Sequence, residues 1–304
     1  MAKSVVEAFN LFQKDVVNLD SNISSKARAS RDWLQEQITQ FPEKNLKFPI
    51  LYPEIGSFAR KTKTRPLDDI DLMIGLNANG CSYLEYSWDN IVIYFPDHYD
   101  GRLKAYASTV APSCLSSTRI TNAFKEELKS IPQYFSADIK RDGEAATLKL
   151  KSYDWKFDIV PCFLTQEDNS GKNYYLIPNR NGGWKKTDPR LDRDRLSATN
   201  QNHLGNVLNV IRVLKYWNQE KKVGIHSYLL EAMVMSYYRN KIDGSSSFIP
   251  NELERIAPYL EESILCTVVD PKNIQGDINE YDWVKRVKLQ EAFNKLYELS
   301  NEAI

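Results

Sequence analysis

The first forty residues place Val5, Val6, Phe9, Phe12, Val16, Leu19 and Ile23 at steps of mostly three and four, and Trp33, Leu34 and Ile38 continue the rhythm. This spacing predicts a long amphipathic helix with a break near Ser24 and Ser25. The period then changes. In IGSFARKTKTRPLDDIDLMIGL, Ile70, Leu72 and Ile74 alternate with Asp71, Met73 and Gly75, which reads as turn, loop and strand. Residues 91–95 (IVIYF) have β-branched and aromatic character, and residues 101–128 return to helical spacing. ATLKLK and WKFDIVP alternate once more and predict adjacent strands, the second bounded by Pro161. YYLIPNRNGGWKKTDP is too rich in Asn, Gly and Pro for regular structure throughout, so it is expected to wrap over a sheet edge. Beyond Pro189, HLGNVLNVIRVLKYWNQEKK, SYLLEAMVMSYYRN and WVKRVKLQEAFNKLYELSNE carry apolar residues at helical intervals. The pattern predicts an α+β protein with a sheet-bearing core over 1–190 and a helical lobe over 191–304.

Length and composition narrow the class without deciding it. A chain of 304 residues suits one or two domains, and 42% hydrophobic with 26% charged residues is ordinary globular usage. Lys plus Arg equals Asp plus Glu at 40 each, so no global field would collect polyanions. No run approaches the ~20 apolar residues of a membrane span, and the opening MAKSVVEAFNLFQKD has acidic residues and no small-residue cleavage site; a soluble, cytoplasmic protein is expected. Cys81, Cys114, Cys162 and Cys266 are too scattered for a zinc ribbon or redox pair, and His98, His203 and His226 are isolated.

The chemistry concentrates in carboxylates. On a strand Asp69 and Asp71 point to the same side and repel unless a cation sits between them, and hard oxygen donors at that spacing suit Mg²⁺ or Mn²⁺. Upstream of Asp69, with eleven residues between, lie Gly56 and Ser57, where a glycine lets a backbone N–H approach an anionic oxygen and the serine adds a hydroxyl. An ordinary turn is the alternative. Asp158, a charge inside the apolar strand FDIVP, is the third acid, able to help activate an attacking hydroxyl; its alternative is a structural pair with Lys156 or the neighbouring backbone.

Gly56-Ser57, eleven residues, Asp69-Ile70-Asp71 and then Asp158 on a later strand together resemble the polymerase-β-like nucleotidyltransferase superfamily. Within it, FDIVP, the NGGWKKTDP loop, the LKYWN helix and SYLLEAMV look like the CD-NTases, bacterial cyclic-oligonucleotide synthases related to the animal cyclic GMP-AMP synthase. The resemblance covers roughly residues 50 to 275. It implies a nucleotidyltransferase sheet with a long N-terminal spine helix, a C-terminal helical lobe, and nucleoside triphosphates bound in the cleft between the lobes. It further implies that Asp69, Asp71 and Asp158 bind Mg²⁺ or Mn²⁺, that Gly56 and Ser57 grip phosphates, and that Lys215 and Ser227 hold the donor triphosphate. A solvated Lys215 and a plain helix-capping Ser227 are the alternatives. Asp270-Pro271, with Asn273 and Asp277, resembles the segment that closes the family's cleft. The zinc insertion of the animal DNA sensor is missing from this sequence.

The implied activity is the joining of nucleoside triphosphates into a cyclic di- or trinucleotide second messenger, with pyrophosphate released, in antiviral CBASS signalling through a cyclic-nucleotide-responsive effector. The neutral charge balance leads to the expectation that no nucleic-acid activator is required. Two other readings stay open: a linear transferase acting on RNA ends or on a protein or small-molecule hydroxyl, and a regulatory protein that binds nucleotide without catalysis. Tyr174, Tyr175 and Trp184 are candidate base-stacking platforms or core aromatics, and His226 is expected to pack or cap.

Overall fold

The computed structural model describes residues 4–41, 49–51, 53–241 and 244–302. The chain divides into two compact units, one of Asn22–Ala59 with Leu67–Arg190, the other of Met1–Ser21, Arg60–Pro66 and Leu191–Ile304. The N-terminal helix is interrupted earlier than its periodicity suggested. Helix α1 (Val5–Phe12) continues into a π-helical turn over Gln13–Val17, the backbone extends at Asn18, and α2 (Ser21–Thr39) begins afresh. Phe9 and Phe12 pack on the core of the helical unit, with the Phe12 ring 5.5 Å from that of Tyr216. Helix α1 therefore belongs with the helices that follow Leu191.

Among the described residues the sheet unit holds nine strands: β1 (Pro49–Leu51), β2 (Asp69–Leu76), β3 (Ser82–Ser87), β4 (Asn90–Tyr94), β5 (Asp138–Asp142), β6 (Ala145–Lys149), β7 (Lys156–Leu164), β8 (Tyr175–Pro178) and β9 (Trp184–Thr187). The main path runs β1-β2-β7-β8-β9-β4-β3, and β6 pairs with β7 and β5. Only β2 and β7 are parallel among these pairs, with Asp69 beside Lys156 and Asp71 beside Asp158. Both strands begin with alternating half-buried and buried positions and then become almost wholly buried, so the apolar halves anchor the strands while their first residues meet solvent. Helix α3 (Gly56–Ala59) precedes β2, and α4 (Ser117–Lys129) buries Ile120, Phe124 and Leu128.

The segment expected to wrap over an edge is instead a hairpin inside the path. Strands β8 and β9 pair from Tyr175 with Thr187 to Pro178 with Trp184. The Asn179 side chain accepts hydrogen bonds from the backbone N–H groups of Asn181 and Gly183, and Gly182 takes φ +88°, so the turn residues close a hairpin and do not disrupt one.

The helical unit contains α5 (Pro189–Asn202), α6 (Asn206–Glu220), α7 (Ser227–Asn240), α8 (Ile249–Ser263) and α9 (Trp283–Glu302). Val207, Val210, Ile211 and Leu214 form the stripe that α6 buries, and α7, α8 and α9 contribute Leu230, Val234, Ile256, Leu260 and Phe293 to the same core. No helix among the described residues is long and apolar enough to cross a membrane.

Candidate functional site

The acidic face forms where β2 and β7 start. Period-two alternation sends Asp69 and Asp71 to one side of β2, and parallel registration sets Asp158 next to Asp71 on that same side. Gly56 approaches them at the start of α3. Its φ is +78°, and a β-carbon built on it would fall 1.9 Å from Asp71 Oδ2. Glycine is therefore required twice, for the backbone conformation and for the space that the Asp71 carboxylate fills. Ser57 follows, half-buried, in the first turn of α3.

Asp158 is held by two neighbours. Its Oδ2 lies 2.7 Å from Lys156 Nζ, and its Oδ1 accepts a 2.8 Å hydrogen bond from Thr147 Oγ1 on β6, the residue opposite it in the antiparallel register. The pairing with Lys156 is thus realised. Lys156 is two residues from Asp158 on one strand and directly beside Asp69 on the next, so an ammonium sits among the carboxylates. Burial lowers the Lys156 pKa, and the hydrogen bond to Asp158 with the charges of Asp158, Asp69 and Asp142 more than reverses this, leaving it above the usual lysine value.

These residues fit a hard divalent cation in donor chemistry: three carboxylates share one face of neighbouring strands and already stabilise a positive charge. They do not yet converge on one point. Among the described residues no group of three or more His, Cys, Asp or Glu is placed to hold a metal ion, and both oxygens of Asp158 are engaged by Lys156 and Thr147.

The other two expected site residues lie in the helical unit. Lys215 on α6 is 9% exposed and its Nζ lies 2.8 Å from Glu231 Oε1 on α7, so it is neither solvated nor open to solvent on its own. Arg60 reaches Glu231 Oε2 at 3.1 Å, and Thr62 Oγ1 donates to Oε1 at 3.0 Å. Burial pushes the Glu231 carboxyl up, but Arg60, Lys215 and Thr62 hold it below its ordinary value. Ser227 is the first residue of α7, exposed, while the capping position belongs to His226. The His226 N–H donates to Tyr281 Oη at 2.8 Å and its ring meets the Tyr281 ring edge-on, which makes it a packing residue. Asp270 is fully buried and accepts from the N–H groups of Lys272, Ile274 and Gln275, and from Tyr228 Oη on α7 at 3.0 Å. Its role is to shape the loop that follows and pin it to α7. A groove of about 630 Å³ in this unit runs past Tyr228, Arg195, Tyr259 and Asp270; it is larger than the hollow of about 120 Å³ that Asp71 lines, but its Asp192, Glu231 and Asp270 are already ion-paired or hydrogen-bonded, so the chemistry is assigned from the carboxylate face.

No family model matches the chain. A probable cyclic nucleotide synthase of Bacillus cereus (strain VD146) is 43% identical over 309 residues, spanning 100% of this chain and 92% of that protein. The chain belongs to the CD-NTase family. Solved structures agree on the fold. Escherichia coli MS115-1 CdnC with ATP superposes with a TM-score of 0.67 at 17% identity, covering 99% of this chain and 92% of that one, and CdnC in a HORMA-deltaN complex gives 0.65 at 18%, covering 97% and 90%.

As a CD-NTase the protein is a nucleotidyltransferase with the expected α+β fold. Sequence reasoning missed Thr147, which register alone brings to Asp158, and Glu231, which a legible signal could have found. Glu231 is a charge inside the apolar run SYLLEAMV, the same signal that singled out Asp158 in FDIVP. The aromatic candidates divide. Trp184 is fully buried and donates from Nε1 to the Leu115 carbonyl, and Tyr175 is core with Arg190 over its ring, whereas Tyr174 is half-buried beneath Lys186. Trp184 and Tyr175 are thus core aromatics in this CD-NTase.

Proposed function

We propose that this CD-NTase condenses nucleoside triphosphates into a cyclic di- or trinucleotide with release of pyrophosphate, at the face formed by Asp69, Asp71 and Asp158. The observation that supports it most is the register of Asp71 with Asp158, which sets three carboxylates on one side of two strands in a chain whose relative is a probable cyclic nucleotide synthase. Asp69, Asp71 and Asp158 would hold Mg²⁺ or Mn²⁺, which when bound supplies charge neutralisation for the triphosphate and activates the acceptor hydroxyl. Ser57 and the backbone amide at Gly56-Ser57 bind phosphate oxygens. Asp158 orients the acceptor ribose hydroxyl toward the α-phosphorus, and Thr147 fixes the angle of that carboxylate. Rate enhancement comes mainly from positioning and charge neutralisation.

In the helical unit, Ser227 keeps an exposed hydroxyl for donor phosphate, and Lys215 acts through its ion cluster with Glu231 and Arg60, which braces the first turns of α7. The product serves antiviral CBASS signalling through a cyclic-nucleotide-responsive effector in the cytoplasm, and the balanced total charge supports synthesis without a polynucleotide activator. Incubation of nuclease-treated protein with four labelled triphosphates and Mg²⁺, followed by phosphatase, tests this. A phosphatase-resistant product with the mass of a cyclic di- or trinucleotide is expected. Linear phosphatase-sensitive chains, or synthesis only after double-stranded DNA or RNA is added, would refute the corresponding part.

A further inference from the structure

Lys156 lies within the acidic face itself. Its 2.7 Å contact with Asp158 Oδ2 is made along one face of β7, with Asp69 alongside on β2, while Thr147 closes the other oxygen of Asp158. Side-chain exposures of 34% for Lys156 and 16% for Asp158 place the pair at the edge of solvent, where one cation can be exchanged for another. The ammonium has two opposed effects. It offsets the repulsion that Asp69 and Asp71 exert on Asp158, and it opposes the arrival of any further positive charge.

We propose that Lys156 is a positioning residue that serves as the resident cation of this face, holding Asp158 until a divalent ion displaces the ammonium, so that the charge at position 156 sets the metal affinity. This rests on the metal-holding role proposed above for Asp69, Asp71 and Asp158. The lysine suits such an exchange better than an arginine fork would, because it is a point charge on a flexible stem that can swing into water without breaking a bidentate geometry. Displacement frees Oδ2 of Asp158 to turn toward Asp71, its partner in register.

The test is Mn²⁺ binding without nucleotide, followed by the loss of the free-ion electron paramagnetic resonance signal, in wild type, Lys156→Met, Lys156→Gln, Lys156→Arg and Asp71→Asn proteins. Both neutral variants are expected to bind Mn²⁺ about ten-fold more tightly at unchanged stoichiometry, the scale of one nearby unit charge after solvent screening. Lys156→Arg, which keeps the charge in a fork that is harder to displace, is expected to bind Mn²⁺ no more tightly than wild type, which a purely steric role for the side chain would not produce. Lys156→Gln carries the comparison if Lys156→Met does not fold. Unchanged or weaker binding in the neutral variants, or an arginine variant as tight as they are, overturns the inference while leaving the metal site in place. Wild-type binding by Asp71→Asn would put the ion elsewhere, and the proposed site would fall with it.

Discussion

The two units carry their charges in contrasting ways. On the sheet, Asp69, Asp71 and Asp158 gather with Lys156 at the half-buried ends of two strands, three carboxylates on one side at the edge of solvent. In the helical unit the charges lie deeper and are matched. Glu231 has Arg60 and Lys215, Glu252 has Lys241 at 2.9 Å with Tyr238 Oη at 2.7 Å, and Lys272 bridges Asp270 at 3.1 Å and Asp192 at 3.5 Å. Like charges gathered on neighbouring strands repel one another and favour a cation among them, whereas paired charges buried between helices fix their packing. The first arrangement marks the place for chemistry and the second the frame.

The sharpest way to break this comparison is the pair Asp69→Asn/Asp71→Asn. Nucleotide transfer, read as pyrophosphate release, is expected to fall by about 10³ or more, while the melting temperature stays level or rises because repulsion is removed. Near-normal turnover, or a large loss of stability, would make these acids part of the frame. In the helical unit the expectation reverses. Glu231→Gln leaves Arg60 and Lys215 buried without their counter-charge and should cost about 3–5 kcal/mol in denaturant unfolding, while Lys215→Met, which leaves Arg60 on Glu231, should cost less. Equal losses would show that Arg60 does not share the carboxylate.

Gly56→Ala is smaller in stability and larger in activity. The added methyl must displace the Asp71 carboxylate and the backbone must keep φ near +78°, so a cost of about 1–2 kcal/mol is expected together with a fall in transfer rate. An active, fully stable alanine variant would mean that Asp71 can move without consequence. The smallest effect is on pH. Glu231 and Asp270 have folded pKa values below their ordinary 4.5 and 3.8, so their contribution is full above those values and is lost as pH falls through the lower folded values. Burial raises the Asp192 pKa despite Lys272, so that group acts in the opposite sense. The denaturant midpoint of wild type should drop between pH 6 and roughly pH 3 by more than that of Glu231→Gln, in which the titrating group is gone. Parallel acid profiles would rule out Glu231 as a source of the dependence.

What the sequence determined by itself was whatever depends on near neighbours. Period-two alternation was enough to put Asp69 and Asp71 on one face, the helical stripe of Val207, Val210, Ile211 and Leu214 was visible before any fold, and Gly56-Ser57 with the following acids carried the family. The tertiary structure decided what depends on register and burial. It set Asp158 beside Asp71 and Thr147 opposite Asp158, put the Asn- and Gly-rich segment inside the sheet path, and gave Lys215 to Glu231 across two helices. It also joined α1 to helices nearly two hundred positions further along the chain, because Phe9 and Phe12 find their apolar partners there. Local spacing fixes which way a side chain points, but partners as distant as Arg60 for Glu231 or Tyr216 for Phe12 are chosen by the total burial of apolar surface and the pairing of buried charge, which no short window of sequence contains.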